Sequence, residues 1–253
     1  MAKISVVGIG PGALDEMTPR ARRAIESAEV VAGYNTYIKL IEKLLDGKKI
    51  IGRAMMQEVE RCQLAVEETL AGRNVVVVSS GDAGIYGMAG LVVEIISDLP
   101  ESKRPQFEIV AGVSAVNAAA AILGAPLMND FAVISLSDLM TPWEIIRKRI
   151  RAAGEGDFVI ALYNPKSKRR TTQLDEVQKI LLEFREKNTP VGIVTNAGRD
   201  GETKIISTLE NFTREEVNMF SLVLIGNAQT FVKSGFMITP RGYKFDGGKT
   251  LCD

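Results

Sequence analysis

Histidine is absent from all 253 residues, and that absence removes more chemistry than any single residue present supplies. Without imidazole there is no Ser-His-Asp arrangement, no ordinary neutral-pH general base and few of the donor sets that hold zinc. No metal site is expected. Cysteine is scarce, with only Cys62 and Cys252 and no C-x-x-C spacing, which fits a reducing compartment such as the cytoplasm rather than a disulfide framework. Net charge is also missing: 31 Lys and Arg balance 31 Asp and Glu, so no overall field favours nucleic acid or a membrane surface as a partner. A basic n-region followed by a long apolar run is not found, so neither a signal peptide nor a spanning helix is expected. What remains is 46% hydrophobic and 25% charged, a globular composition sized for one large or two modest domains. Chemistry here must rest on positioning, carboxylates, tyrosines, hydroxyls and backbone.

Strand and helix patterns alternate, which predicts an α/β fold with largely parallel sheet. Thr18 with Pro19 reads as a helix start, with Ala21, Ala24, Ile25 and Ala28 on one face. Further helices are expected near 37–45, 57–71, 88–96, 115–123, 143–152 and 172–187. On the second of these, Val59, Cys62, Val66, Thr69 and Leu70 form the predicted buried stripe. The run Val75-Val76-Val77-Val78 is β-branched on both faces and reads as a central strand. Gly124-Ala125-Pro126-Leu127 interrupts the pattern, dividing the chain into two α/β lobes over 1–125 and 126–253 with a ligand cleft expected between them.

The stretch Ile4-Ser5-Val6-Val7-Gly8-Ile9-Gly10-Pro11-Gly12 runs an apolar strand into a glycine-rich loop. Gly8, Gly10 and Ala13 fit the dinucleotide pattern G-x-G-x-x-G/A. Pro11 removes a backbone donor from that turn, however, and no acid closes the next strand, where Glu29 stands at the wrong end to hold a ribose hydroxyl. A tight turn without any ligand is the plainer alternative.

Three more loops follow strands and are built of small or turn-forming residues: Ser79–Gly87, Ala111–Ala115 and Leu162–Ser167. Ligands of parallel α/β sheets sit outside the carboxyl ends of strands, so loops of this kind can share one pocket. Gly8-x-Gly10-Pro11-Gly12, Gly81-Asp82-x-x-x-Tyr86 and Gly112-Val113-Ser114-Ala115 resemble the tetrapyrrole (corrin and porphyrin) methylases. Ser80 to Ala89, Ala161-Leu162-Tyr163-Asn164-Pro165, Ile225 to Thr230 and Thr239-Pro240-Arg241-Gly242-Tyr243 are most similar to its C17-methylating subgroup. Ala83, where many members carry proline, suits that subgroup.

The resemblance implies a two-lobed fold, a homodimer, S-adenosyl-L-methionine as cofactor and a corrin-precursor tetrapyrrole as substrate. It implies that Gly10 and Pro11 border the cofactor cleft, that Gly81, Asp82 and Ile85 contact the methionine or ribose part, and that Ser114 and Ala115 continue the wall. Tyr86 belongs to the same motif, and its plain alternative is ordinary packing. Leu162 and Tyr163 would flank the adenine, with Ala197 and Ala228 offering backbone to it. Asp82 equally fits a loop or helix cap.

Arg53, Lys166, Arg169 and Arg170 are candidates for the acetate and propionate arms of such a substrate, or simply a solvated surface. Methyl transfer to ring carbon needs no enzyme nucleophile; holding the reactants in line supplies ~7–11 kcal/mol of the barrier. The implied ring contraction, which extrudes C20 and forms a lactone, wants a proton donor or acceptor. Asp82, Tyr86 and Tyr163 are candidates, and none is selected. An NAD(P)-linked oxidoreductase using the first loop and a non-catalytic corrinoid-binding protein are the competing functions.

Overall fold

In the computed structural model, which describes residues 2–53 and 57–243, the valine run does what its β-branching predicts. The chain divides into two compact units, Met1–Ala115 and Val116–Asp253. The first contains β1 (Lys3–Gly8), α1 (Pro19–Ser27), β2 (Val30–Tyr34), α2 (Asn35–Leu40), β3 (Lys49–Arg53), α3 (Glu58–Leu70), β4 (Val75–Ser79), α4 (Ala89–Ser97) and β5 (Gln106–Val110). Its five strands lie in the order β3-β2-β4-β1-β5, every pairing parallel. Val75 and Val77 of β4 pack with Cys62, Val66 and Val92 on one face, while Val76 and Val78 pack with Ala21 and Ile25 on the other. Both faces are covered, which is why the strand has no polar alternation. Thr18 caps α1 by accepting from the Ala21 N–H at 3.1 Å, with Pro19 at its first position. On α3 the buried face is Arg61, Cys62, Ala65, Val66 and Thr69; Val59 and Leu70, predicted inside, are exposed. Burial pushes the Cys62 thiol up to about 11, against a lesser opposing pull from Arg61.

The second unit takes almost all of α5 (Ala115–Leu123), then β6 (Gly124–Ala125), β7 (Phe131–Ser135), α6 (Trp143–Glu155), β8 (Val159–Tyr163), α7 (Gln173–Leu181), β9 (Pro190–Thr195), β10 (Thr203–Thr208), β11 (Ser221–Ile225), β12 (Phe231–Lys233) and β13 (Phe236–Ile238). The division falls earlier than Gly124 because α5 and β6 are held by this unit. Leu123 lies against Gly192 of β9, where a Cβ would collide with its side chain, and β6 pairs with β13. The larger sheet runs β10-β9-β11-β8-β7. Here the expectation of a largely parallel sheet fails. Only β7 and β8 pair in parallel, whereas β8 with β11, β11 with β9 and β9 with β10 are antiparallel. No helix crosses between β9 and β10, and antiparallel neighbours need none. Ile160, Leu162, Ile193, Val223 and Phe212 form the core beneath α6 and α7. No helix among the described residues is long and apolar enough to cross a membrane.

Candidate functional site: a glycine junction in the first unit

At the carboxyl ends of β4, β1 and β5 three loops meet main chain to main chain. Gly10 and Gly81 form one rung of antiparallel ladder: the Gly10 N–H donates to the Gly81 carbonyl at 3.1 Å and the Gly81 N–H to the Gly10 carbonyl at 2.8 Å. Both glycines have positive φ, +78° and +66°, conformations that an L side chain resists. A Cβ on Gly8 would stand 2.6 Å from the Gly81 carbonyl oxygen and 2.7 Å from the Gly112 nitrogen. One on Gly112 would collide with the same backbone from the other side. The absence of side chains is therefore structural first: it lets three backbones touch.

Asp82 locks this junction. Its Oδ1 accepts from the Gly84 N–H at 2.8 Å and its Oδ2 from the Gly112 N–H at 3.0 Å, tying the second loop to the third. Each oxygen keeps further acceptor capacity, and Asp82 has no ion pair among the described residues. A half-buried negative charge thus remains uncompensated beside bare backbone. Gly81 also lies against Ser114 and Ala115, the two residues expected to continue the wall. Gly10 and Pro11 are buried at the base, while Ile85 and Tyr86 stand exposed on the next turn. Tyr86 holds a positive φ of 52°, a strained position for a tyrosine. At the end of β2, where a dinucleotide fold needs its ribose-binding acid, the chain has Tyr34.

The second unit treats its four predicted residues differently. The Tyr163 hydroxyl accepts from the Val116 N–H at 3.0 Å, capping the start of α5. Leu162 is fully buried in the core, so its side chain is not available to flank a ligand and only its main chain could. Ala197 follows β9 and lies at the same end of the sheet as Tyr163. Ala228 does not. Because β9 and β11 are antiparallel, with Thr195 opposite Ser221 and Val191 opposite Ile225, the segments after the two strands emerge at opposite ends. Ala228 instead donates its N–H to Asp157 Oδ1 at 3.0 Å.

Of the predicted basic residues, Lys166 is half-buried and Arg169 exposed on the loop after β8. Arg170 is not the surface cation the run implied. It is buried, with its guanidinium on the Asn164 carbonyl at 3.3 Å and Asp138 at 3.5 Å, inside the loop it stabilises. Arg53 ends β3, and its side chain lies outside the described residues. Sequence reading missed Arg61 altogether. The signal was there: it precedes Cys62 and stands four residues before Ala65, on the inner side of α3, where a charge is out of place.

Comparison with known proteins identifies the family. The family described as tetrapyrrole (corrin/porphyrin) methylases matches residues 3–213. A probable cobalt-factor III C(17)-methyltransferase of Salmonella typhimurium is 50% identical over 95% of this chain and 99% of its own length. A cobalt-factor III methyltransferase of Priestia megaterium is 48% identical over 96% of this chain, which spans only 45% of that longer protein. The crystal structure of the methyltransferase CobJ superposes with a TM-score of 0.88 at 35% identity, covering 95% of this chain and all of that one (100%). The chain belongs to the tetrapyrrole methylase family.

Proposed function

We propose that the protein transfers the methyl group of S-adenosyl-L-methionine to C17 of a corrin-precursor tetrapyrrole, cobalt-factor III or precorrin-3B, with ring contraction, in cobalamin biosynthesis. The observation that carries this reading is the 50% identity with the Salmonella relative along 99% of its length. Both relatives described above are named for the cobalt form, so that is the substrate to test first.

The residues present fit the cofactor. A sulfonium and an ammonium need negative charge without a competing cation, and Asp82 supplies it next to the Gly81–Ala115 backbone. When bound, the cofactor supplies an electrophilic methyl group, and its displacement by a ring carbon requires alignment rather than an enzyme nucleophile. The chain's own task is then orientation. The Gly10–Gly81 rung and the Asp82 clasp fix the three loops before any ligand arrives, so little ordering remains to be done on binding. Exposed Ile85 and Tyr86 offer apolar surface to a flat macrocycle, and Lys166 and Arg169 offer charge to its carboxylates. We further infer that the protein works in the cytoplasm as a homodimer; a monomer in analytical ultracentrifugation would overturn that part alone.

The decisive experiment is calorimetry with S-adenosyl-homocysteine followed by incubation with cofactor and each macrocycle, the products being weighed by mass spectrometry. Binding and a methylated, ring-contracted product are expected. No binding at millimolar S-adenosyl-homocysteine would refute the assignment.

A further inference from the structure

β7 and β8 are the parallel pair of the second unit's larger sheet, with Ser135 opposite Tyr163, so the segments that follow them leave the sheet at the same end. The chain ties those two segments together. Asn164 Nδ2 donates to Ser135 Oγ at 2.9 Å, and the Leu136 N–H donates to the Tyr163 carbonyl at 2.9 Å. Farther along, the buried Arg170 guanidinium lies 3.5 Å from Asp138, whose other oxygen accepts from Gln173 at 3.5 Å. Ser167 closes the turn between them, its N–H donating to the Arg170 carbonyl and its Oγ accepting from the Arg170 N–H.

Two kinds of side chain reach solvent from this stitched pair of loops. Met140 is 96% exposed and Leu139 66%, more than any other Leu, Ile, Val or Met among the described residues. Single exposed apolar side chains are ordinary, but an adjacent pair this open at the carboxyl end of a strand marks a contact surface. Residues 136–142 and 164–172 together carry four cations and one acid. Asp138 is that acid, and Arg170 engages it. Lys166, Lys168 and Arg169 therefore keep their charge with no ion pair among the described residues. A ligand complementary to this surface offers apolar area and several carboxylates at once.

Resting on the function proposed above, we propose that these two loops dock the tetrapyrrole itself, with Leu139 and Met140 against its apolar ring and Lys168 joining Lys166 and Arg169 on its acetate and propionate arms. A second copy of the chain fits less well, because a self-complementary contact centred here would set like charges against like. The ties at Asn164 and Arg170 hold the apolar and cationic parts together before the ligand arrives, so little ordering is left to binding.

The test compares the wild-type chain with Leu139→Ser/Met140→Ser and Lys168→Glu/Arg169→Glu, using cobalt-factor III and S-adenosyl-homocysteine as probes. All four positions are exposed, so the melting temperatures should match the wild type. The apolar double variant should raise the KM for cobalt-factor III roughly 3- to 10-fold. Charge reversal should raise it roughly 10- to 100-fold and remove the wild type's rise in KM with added salt. In both variants kcat and the affinity for S-adenosyl-homocysteine should stay unchanged. An unchanged KM in either variant, or a fall in S-adenosyl-homocysteine affinity, would overturn the docking surface while leaving the methyltransferase reading intact. So would a wild-type dimer that becomes monomeric in Leu139→Ser/Met140→Ser by analytical ultracentrifugation, or wild-type binding to phosphatidylglycerol vesicles that charge reversal abolishes. A wild-type chain that neither binds S-adenosyl-homocysteine nor consumes cobalt-factor III would overturn that reading, and the docking surface with it.

Discussion

Two buried arginines, one in each unit, have opposite circumstances. Arg185 in the second unit is tied on several sides: its Nη1 donates to the Gly226 carbonyl at 2.5 Å, its Nη2 to the Phe158 carbonyl, and its Nε lies 3.9 Å from Asp157. It joins the start of β8 to the end of β11. Desolvation pulls its pKa down and Asp157 opposes that, yet a guanidinium remains charged throughout. Arg61 in the first unit is equally buried and, among the described residues, hydrogen-bonded to nothing except a thioether. The chain can satisfy an internal guanidinium where the fold needs a tie. Where it does not, two donors of a buried guanidinium are left without a partner among the described residues.

The contrast is broken most severely at Arg185. Arg185→Met should orphan the buried Gly226 carbonyl and the half-buried Phe158 carbonyl and lower stability by about 3 kcal/mol or more, read as a fall in the midpoint of urea unfolding. An unaffected midpoint would erase the distinction between the two arginines.

Next in size is Gly112→Ala, which sets a methyl against the Gly8 and Gly81 backbone. Overpacking of that kind costs about 1–3 kcal/mol. If the displaced atoms form the cofactor wall proposed above, S-adenosyl-homocysteine affinity measured by calorimetry should fall in the same variant. Retained affinity would mean that the junction is mere packing.

Asp82→Asn is expected to cost about 1–2 kcal/mol, because one of two acceptors becomes an NH₂ facing an N–H. It should also weaken S-adenosyl-homocysteine binding, since the negative charge is gone. Thermal melts with and without the ligand separate the two effects.

The smallest effect lies at Glu108, whose side chain meets Lys3 at 2.5 Å, Arg20 at 3.0 Å and the Ser5 hydroxyl at 2.9 Å. Burial alone would raise its pKa, but the hydrogen bonds from Lys3, Arg20 and Ser5 outweigh that and bring it from 4.5 to about 2. A lowered folded-state value means stability that is present above pH 4.5 and lost as pH falls toward 2. Glu108→Gln should therefore flatten the acid limb of the stability profile. At this partly exposed site the change should stay below about 1 kcal/mol.

Much of the first unit was legible because its rules are local. A β-branched run between covered faces, a Thr-Pro helix start and glycines after strands each announce themselves within a few residues. The loops at Gly8, Gly81 and Gly112 were recognisable singly, and their meeting followed from a parallel sheet. The second unit was harder. Strand direction is set by the connections, and the polar-flanked segment Thr203–Thr208 gave little warning that β10 would reverse the path. The expectation that Ala197 and Ala228 both offer backbone to one adenine was drawn without that direction, and the two segments leave the sheet at opposite ends. Leu162 and Arg170 were misjudged for a related reason: which way a side chain points depends on register, and a sequence run shows only that the residue is nearby. Arg61 escaped because the stripe chosen for α3 ran through Val59 and Leu70, rotated from the face that packs.

The Gly10–Gly81 rung has a consequence for how the loops open. Each glycine amide is held by the other's carbonyl, so neither proton can meet solvent until the pair parts. Exchange at the two positions is one event rather than two, and a ligand that keeps the rung shut slows both by the same factor. The rung also fixes how many residues separate Gly8 from Gly10 and Ser79 from Gly81, since an insertion on either strand would slide one glycine past its mate. Chain length there is a constraint of register, and sequence drift must find its freedom farther along, beyond Gly84.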